Sequence, residues 1–128
     1  MNLLLDTCAF IWLCSNPNKL TMKATKYINN VENDLFLSDA SVLEISIKHS
    51  IGKLKLPEAP ENWILEQSSI WDINLLSISR EDIFESTKLP WIHRDPFDRL
   101  IIALAKNHSY YVVTYDSIFK EYSVDIIW

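Results

Sequence analysis

Apolar residues in this chain fall into short unbroken runs that alternate with stretches of helical spacing. Leu3 to Leu5 is such a run, stopped by Asp6, and Thr7 to Leu13 continues at helical spacing until Asn16-Pro17 closes it. The pair predicts a buried strand feeding a helix. Thr21 to Val31 carries Met22, Tyr27, Ile28 and Val31 at helical spacing, and Leu35 to Leu37 is a second strand-like run. From Asp39 to Ile51 apolar residues recur at Val42, Leu43, Ile45, Ile47 and Ile51, with Gly52 where a helix end favours a left-handed residue. Lys53 to Leu56 and Pro57 form a connector.

Pro60 to Ile70 reads as a helix and Ile73 to Ile78 as a strand, after which Ser79 begins another helix with Glu81 and Asp82 in its first turn. Asp95-Pro96 is the clearest helix start: Asp as N-cap, Pro at the first helical position, and Asp98 three residues past the cap. That helix should run to about Asn107. Tyr110 to Val113 is a β-branched and aromatic strand leading to Thr114 and Asp116, and Val124 to Trp128 supplies the last strand. Short strands alternating with helices predict an α/β fold with three layers, α/β/α, around a mainly parallel sheet.

Length and composition narrow this without changing it. With 128 residues, 48% hydrophobic and 23% charged, the expected organisation is one globular domain spanning residues 1–128. The single glycine leaves no G-x-G-x-x-G or P-loop, so a backbone cradle for nucleotide phosphates is not expected. Cys8 and Cys14 point about 240° apart on a helix and belong to no C-x-x-C pair, which argues against a disulfide or zinc site. The N-terminus lacks a basic region before its apolar run, and the longest apolar runs are too short for a bilayer, so a cytoplasmic, membrane-free protein is expected. A net charge of −5 excludes a broad basic surface that would hold nucleic acid by phosphate neutralisation alone.

Four acids carry the candidate chemistry. In an open α/β sheet, ligands bind outside the carboxyl ends of the strands. Asp6 ends the first strand, Asp116 follows the Tyr110 to Val113 strand, and Glu44 and Asp98 lie near the starts of helices that run antiparallel to the strands. All four are therefore expected at one edge. Carboxylates about 4 Å apart repel by roughly 4 kcal/mol per pair at an effective dielectric near 20. A divalent cation relieves this, and oxygen-only ligands with no His or Cys pair nearby favour Mg²⁺ or Mn²⁺ over Zn²⁺. Such an ion lowers the pKa of a bound water and steadies charge on a phosphodiester under attack. Each acid also has a structural alternative: Ser41-x-x-Glu44 is a formal capping box, Asp98 suits a helix N-terminus, and Asp116 could simply start a turn. Asp6, ending a buried run, needs a partner or an ion in any case.

The segments Leu-Leu-Leu-Asp6-Thr7, Ser38-x-x-Ser41-x-x-Glu44-Ile45-x-Ile47-Lys48, His93-Arg94-Asp95-Pro96-Phe97-Asp98-Arg99-Leu100 and Val113-Thr114-x-Asp116-x-x-Phe119 together resemble the PIN domain, and within it the VapC-type toxins of toxin–antitoxin pairs. The resemblance runs through nearly the whole chain, and the His93 to Arg99 block is its most specific part. It implies metal coordination by Asp6, Glu44, Asp98 and Asp116, RNA as substrate, an antitoxin partner and a homodimer. Thr7 and Thr114 would orient a carboxylate or the attacking water. Two positions depart from the family's pattern: Leu43, where Trp is common, and Tyr115, where a basic residue is common.

Among basic residues, His93, Arg94 and Arg99 are the expected RNA phosphate contacts, whereas Lys48 and Lys53 read as solvated charges near a helix C-terminus. The five tryptophans read as core or interface rather than base-stacking platforms. The leading expectation is a metal-dependent endoribonuclease toxin. Its competitors are a PIN-like scaffold without catalysis and, last, a phosphoacceptor receiver domain, which wants paired acids after the first strand where this chain has Thr7, Cys8 and Ala9.

Overall fold

The computed structural model describes residues 1–128. Five strands, β1 (Asn2–Leu5), β2 (Asp34–Ser38), β3 (Ile73–Leu76), β4 (Tyr111–Val113) and β5 (Ile126–Ile127), form one sheet in the order β3-β2-β1-β4-β5. Every pairing is parallel, so the mainly parallel expectation becomes an entirely parallel sheet. Six helices cover it: α1 (Thr7–Ser15), α2 (Met22–Asn29), α3 (Asp39–Ser50), α4 (Pro60–Ile70), α5 (Arg80–Lys88) and α6 (Pro96–His108).

The three layers follow from the alternation of side chains along β1. Leu3 and Leu5 pack with Phe10, Leu13, Ala24, Ile28, Ile45, Trp63 and Ile64 on one face of the sheet. Leu4 points to the other face, against Ile101, Ile102, Leu104, Ala105, Phe119 and Tyr122. All three leucines are fully buried, as the central strand of a doubly covered sheet requires. Chain order moves outward from β1 to β2 and β3, then crosses back to β4 and β5. The strand order therefore reverses between β1 and β4, which makes their carboxyl ends the topological switch point where such sheets open a crevice.

Local signals explain most element ends. Ser79 accepts from the Asp82 N–H and Asp82 returns a bond to the Ser79 N–H, a complete capping box. Gly52 takes φ +76° after α3 and returns its N–H to the His49 carbonyl. Three expectations are corrected. The helix expected over Thr21 to Val31 begins only after Thr21, its N-cap, and stops at Asn29; Met22 and Val31 lie in solvent while Ala24 and Ile28 face the core. The strands expected over Ile73 to Ile78 and Val124 to Trp128 shorten to the length over which β2 and β4 offer partners. Pro17–Lys19 and Ser117–Tyr122 form 3-10 turns with no periodic signal of their own.

Truncating Leu4 should test the second core, because the cavity left at the sheet centre cannot collapse between two covering layers. Leu4→Ala is expected to cost about 2–5 kcal/mol. Urea unfolding should show a lower midpoint with an unchanged slope; a loss below about 1 kcal/mol would mean the two faces are not independently packed.

Candidate active site

Asp6, Thr7, Cys8, Glu44, Lys48, Asp95, Asp98, Tyr115 and Asp116 line a cavity of about 200 Å³ at the switch point. All four predicted acids are thus brought together. Asp6 leaves β1 and caps α1 by accepting the Ala9 N–H at 2.7 Å. Glu44 rises from the second turn of α3, where Thr7 Oγ1 lies 2.6 Å from its Oε1 and Lys48 Nζ lies 2.5 Å from its Oε2. Asp98 lies in the first turn of α6, and Asp116 opens the 3-10 turn after β4 by accepting the Ile118 N–H.

The structural alternatives for these acids fare differently. The capping box at Ser41 and Glu44 is absent: Ser38 caps α3, accepting the Ala40 N–H, while Ser41 faces inward 2.9 Å from Thr7 Oγ1. Asp98 does stand in the first turn of α6, where the helix-terminus reading puts it, and it lines the cavity as well. Asp116 does initiate a turn, and its other oxygen faces the cavity side at His93.

Burial dominates the electrostatics. Asp6, 5% exposed, has its pKa raised to about 6, chiefly by desolvation, with smaller contributions from Asp116 and Glu44 set against hydrogen bonds from Thr114 and the Ala9 N–H. Asp98 is raised to about 8, again first by desolvation and then by the charges of Asp95, Asp6, Glu44 and Asp116. Mutual repulsion, expected to be the main cause, is therefore second to loss of water. The Cys8 thiol is pushed up to about 11 by burial and then by Asp6 and Glu44, so it stays protonated in this cleft.

The basic residues rearrange the sequence picture. Arg99, expected on RNA, is 2% exposed, and its guanidinium donates to the carbonyls of Ser86, Leu89, Pro90 and His93 while lying 3.7 Å from the Trp91 ring centroid. Four of its five N–H donors are spent on these carbonyls, which ties the α5–α6 connection together and holds the guanidinium away from solvent. His93 also turns inward: its Nε2 sits 2.9 Å from Asp98 Oδ2 and 3.1 Å from Asp116 Oδ2. A nitrogen does stand among the oxygens, contrary to the oxygen-only expectation. Arg94 is exposed and remains available for phosphate.

Lys48, read as a solvated charge, is a wall of the site, and Asp95 is a fifth acid beside it. The Glu44 to Lys48 spacing of four on one helix carried that signal. Thr7 and Thr114 hold the carboxylates: Thr7 meets Glu44, and Thr114 bonds Asp6 and accepts the Asp116 N–H at 3.0 Å.

Comparison with known proteins bears on the family and the fold. The PIN domain family matches residues 3–125. VapBC2 of Rickettsia felis, solved with a DNA fragment from its promoter, shares the fold with a TM-score of 0.71 at 19% identity, covering 98% of this chain and 97% of that one. DNA-bound VapBC from Salmonella typhimurium gives 0.71 at 17%, covering 98% and 96%. VapBC-5 of Mycobacterium tuberculosis, a member of the VapBC family of toxin–antitoxin systems, gives 0.61 at 16%, covering 98% and 97%. At these identities the likeness is one of fold. No curated protein matches significantly.

The raised carboxyl groups set a pH dependence of known sign. A folded pKa above the unfolded value of about 4 means that folding favours the neutral acid. The stabilising contribution of Asp6 is full below about pH 4 and is lost as pH rises through its folded value of about 6. Asp6→Asn keeps a good N-cap for α1 while removing the charge. In EDTA at pH 7.5 it should raise unfolding free energy by roughly 1–3 kcal/mol and flatten the slope of stability between pH 4 and 6. An unchanged slope in denaturant titrations across that range would place the Asp6 carboxylate in water.

Proposed function

The chain belongs to the PIN-domain family, and from that premise we propose that it is a Mg²⁺- or Mn²⁺-dependent endoribonuclease, the toxin of a toxin–antitoxin pair, with residues 1–128 as its single catalytic domain. The observation that carries this reading is the convergence of Asp6, Glu44, Asp98 and Asp116 on one small cavity at the switch point of the sheet.

The donor set fits a hard divalent cation. Four carboxylates meet in a partly desolvated cleft, and the ligand-capable atoms of His93, Asp98 and Asp116 lie within 4.8 Å of one another. Asp6, Glu44, Asp98 and Asp116 would hold the ion. Bound there, it would polarise the scissile phosphate and make an attacking water more acidic.

The chain's own residues do the rest. Thr7 fixes Glu44, and Thr114 with the Ala9 N–H fixes Asp6, so the acids are oriented before any substrate arrives. Lys48 on one wall and exposed Arg94 outside supply positive charge for phosphates in a protein whose net charge is −5. Attack by the water oxygen on phosphorus expels the 3′ oxygen, leaving a 5′-phosphate and a 3′-hydroxyl.

Membership of the similarly folded VapBC-5 in a toxin–antitoxin family supports a protein partner for this chain. A cleft between α3 and α4, lined by Val42, Ile64, Leu65 and Leu75 with Asp39 and Glu61 at its rim, suits an apolar antitoxin segment flanked by basic residues. Exposed Ile83, Phe84, Trp91 and Ile92 offer an apolar surface for a homodimer. No helix is long and apolar enough to cross a membrane.

Purified protein is expected to cut RNA in Mn²⁺ or Mg²⁺ and to stop in EDTA. Asp6→Asn, Glu44→Gln and Asp98→Asn should each slow cleavage by more than about 100-fold while remaining folded, a loss beyond that typical of residues outside the ligand sphere. Cleavage undiminished by chelator, or full activity in all three variants, would overturn a metal centre on these acids, and no cleavage with either metal would leave a non-catalytic PIN-like scaffold as the better description.

The partner is tested separately. Co-expression with the product of an adjacent open reading frame should give a complex that co-purifies and suppresses growth arrest, and Leu65→Asp in the α3–α4 cleft should break it. Complex formation unaffected by that substitution would move the partner to another surface.

A further inference from the structure

We infer that His93 is a positioning residue locked in its Nε2–H form, a hydrogen-bond donor that holds the Asp116 carboxylate beside Asp98 and does not itself ligate a cation. The lock comes from Asp95. A backbone N–H can only donate, so its 3.2 Å contact with His93 Nδ1 requires a lone pair on that nitrogen. The ring proton must then sit on Nε2, where Asp116 Oδ2 at 3.1 Å accepts it and Asp98 Oδ2 lies 2.9 Å from the same nitrogen. Both alternatives, the other tautomer and the imidazolium, carry a proton on Nδ1, which would oppose the Asp95 N–H.

The ring has little freedom to escape this arrangement. It is 12% exposed and meets Phe119 edge-on, with centroids 6.0 Å apart. Its backbone is fixed as well: the His93 N–H donates to Tyr122 Oη, Tyr122 donates to the Pro90 carbonyl, and Arg99 Nη1 donates to the carbonyls of both Pro90 and His93. Turning the ring over would put carbon atoms against the Asp95 N–H and both acids. The buried Arg99 and Tyr122 thus act on the site through His93.

The consequence rests on the metal-centre reading, whereas the tautomer itself does not. The Asp116 oxygen that accepts from Nε2–H keeps a second lone pair, so the imidazole orients Asp116 without displacing a cation. A nitrogen ligand would tilt the site toward Zn²⁺. A donor at the same place keeps the cation's ligands oxygen and preserves the preference for Mg²⁺ or Mn²⁺ despite the histidine.

Two measurements test this without any assay of cleavage. Long-range ¹⁵N–¹H correlation on the metal-free protein should give one of the three histidines the Nε2-protonated pattern, lost in His93→Gln and retained at saturating Mg²⁺. Glutamine carries an N–H where Nε2 was, whereas asparagine carries one where Nδ1 was. Mn²⁺ affinity, read by electron paramagnetic resonance, should stay within about 3-fold of wild type in His93→Gln and fall about 10–100-fold in His93→Asn and His93→Ala. Melting curves on all three variants confirm that they are folded. A proton on Nδ1, or equal Mn²⁺ loss in the glutamine and alanine variants, would overturn the inference. Failure of the wild type to bind Mn²⁺ would instead overturn the metal centre, with the tautomer still decided by the spectrum.

Discussion

Gathering carboxylates in a cleft that water only partly fills is the constraint on which the rest of this molecule depends. Asp6 and Glu44 are each 5% exposed, and Asp98 and Asp116 share one wall of the same cavity. Loss of hydration is the largest cause that raises Asp6 and Asp98 above the usual carboxylate range, and neighbouring charge adds to it. A fold that tolerates this must supply donors, and three of the four acids have them. Asp6 takes a backbone N–H and a threonine hydroxyl, Glu44 a threonine hydroxyl and an ammonium, and Asp116 an imidazole and the Ile118 N–H, while Asp98 lies 2.9 Å from the same imidazole. The donors compensate only partly, so Asp6 and Asp98 keep raised pKa values.

Those donors come from a second layer of polar residues that looks purely structural in isolation. Arg99 spends its guanidinium on four carbonyls of the α5–α6 connection, where an unpaired buried charge would cost several kcal/mol. Tyr122 bridges the same connection to the 3-10 turn after β4. Through them, packing on the far face of the sheet fixes where His93 stands. Site geometry and core stability are therefore coupled in this half of the molecule, while Glu44 and Thr7 are held by the α1 and α3 side alone.

The sheet turns these local arrangements into one site. Parallel strands point all their carboxyl ends the same way, and the reversal of strand order between β1 and β4 opens a gap there. Asp6 and Asp116 follow those two strands directly, and α3 and α6 begin at the same edge. Both cores lie away from it, so side chains at the gap are free to be polar.

Much of this was legible in the sequence because it is local. The Leu3 to Leu5 run, the Asp95-Pro96 helix start, Ser79 with Asp82 and Gly52 all act within a few residues, where propensity and capping chemistry decide the outcome. The four acids could be assigned to one edge because their positions relative to strand and helix ends follow from chain order. What the tertiary structure alone decided involves residues far apart in sequence. Arg99 changed from a phosphate contact to a buried clamp, since only the folded α5–α6 connection presents four carbonyls to it. Lys48, its side chain still 44% exposed, became a wall of the site because Glu44 proved to be buried rather than capping. His93 found Asp116 across 23 residues of chain, and no periodicity encodes that meeting. The sequence by itself determined which elements form and which carboxylates stand at their ends; tertiary packing decided which polar groups lose water together, and burial, which depends on all the layers at once, sets their charge and their partners.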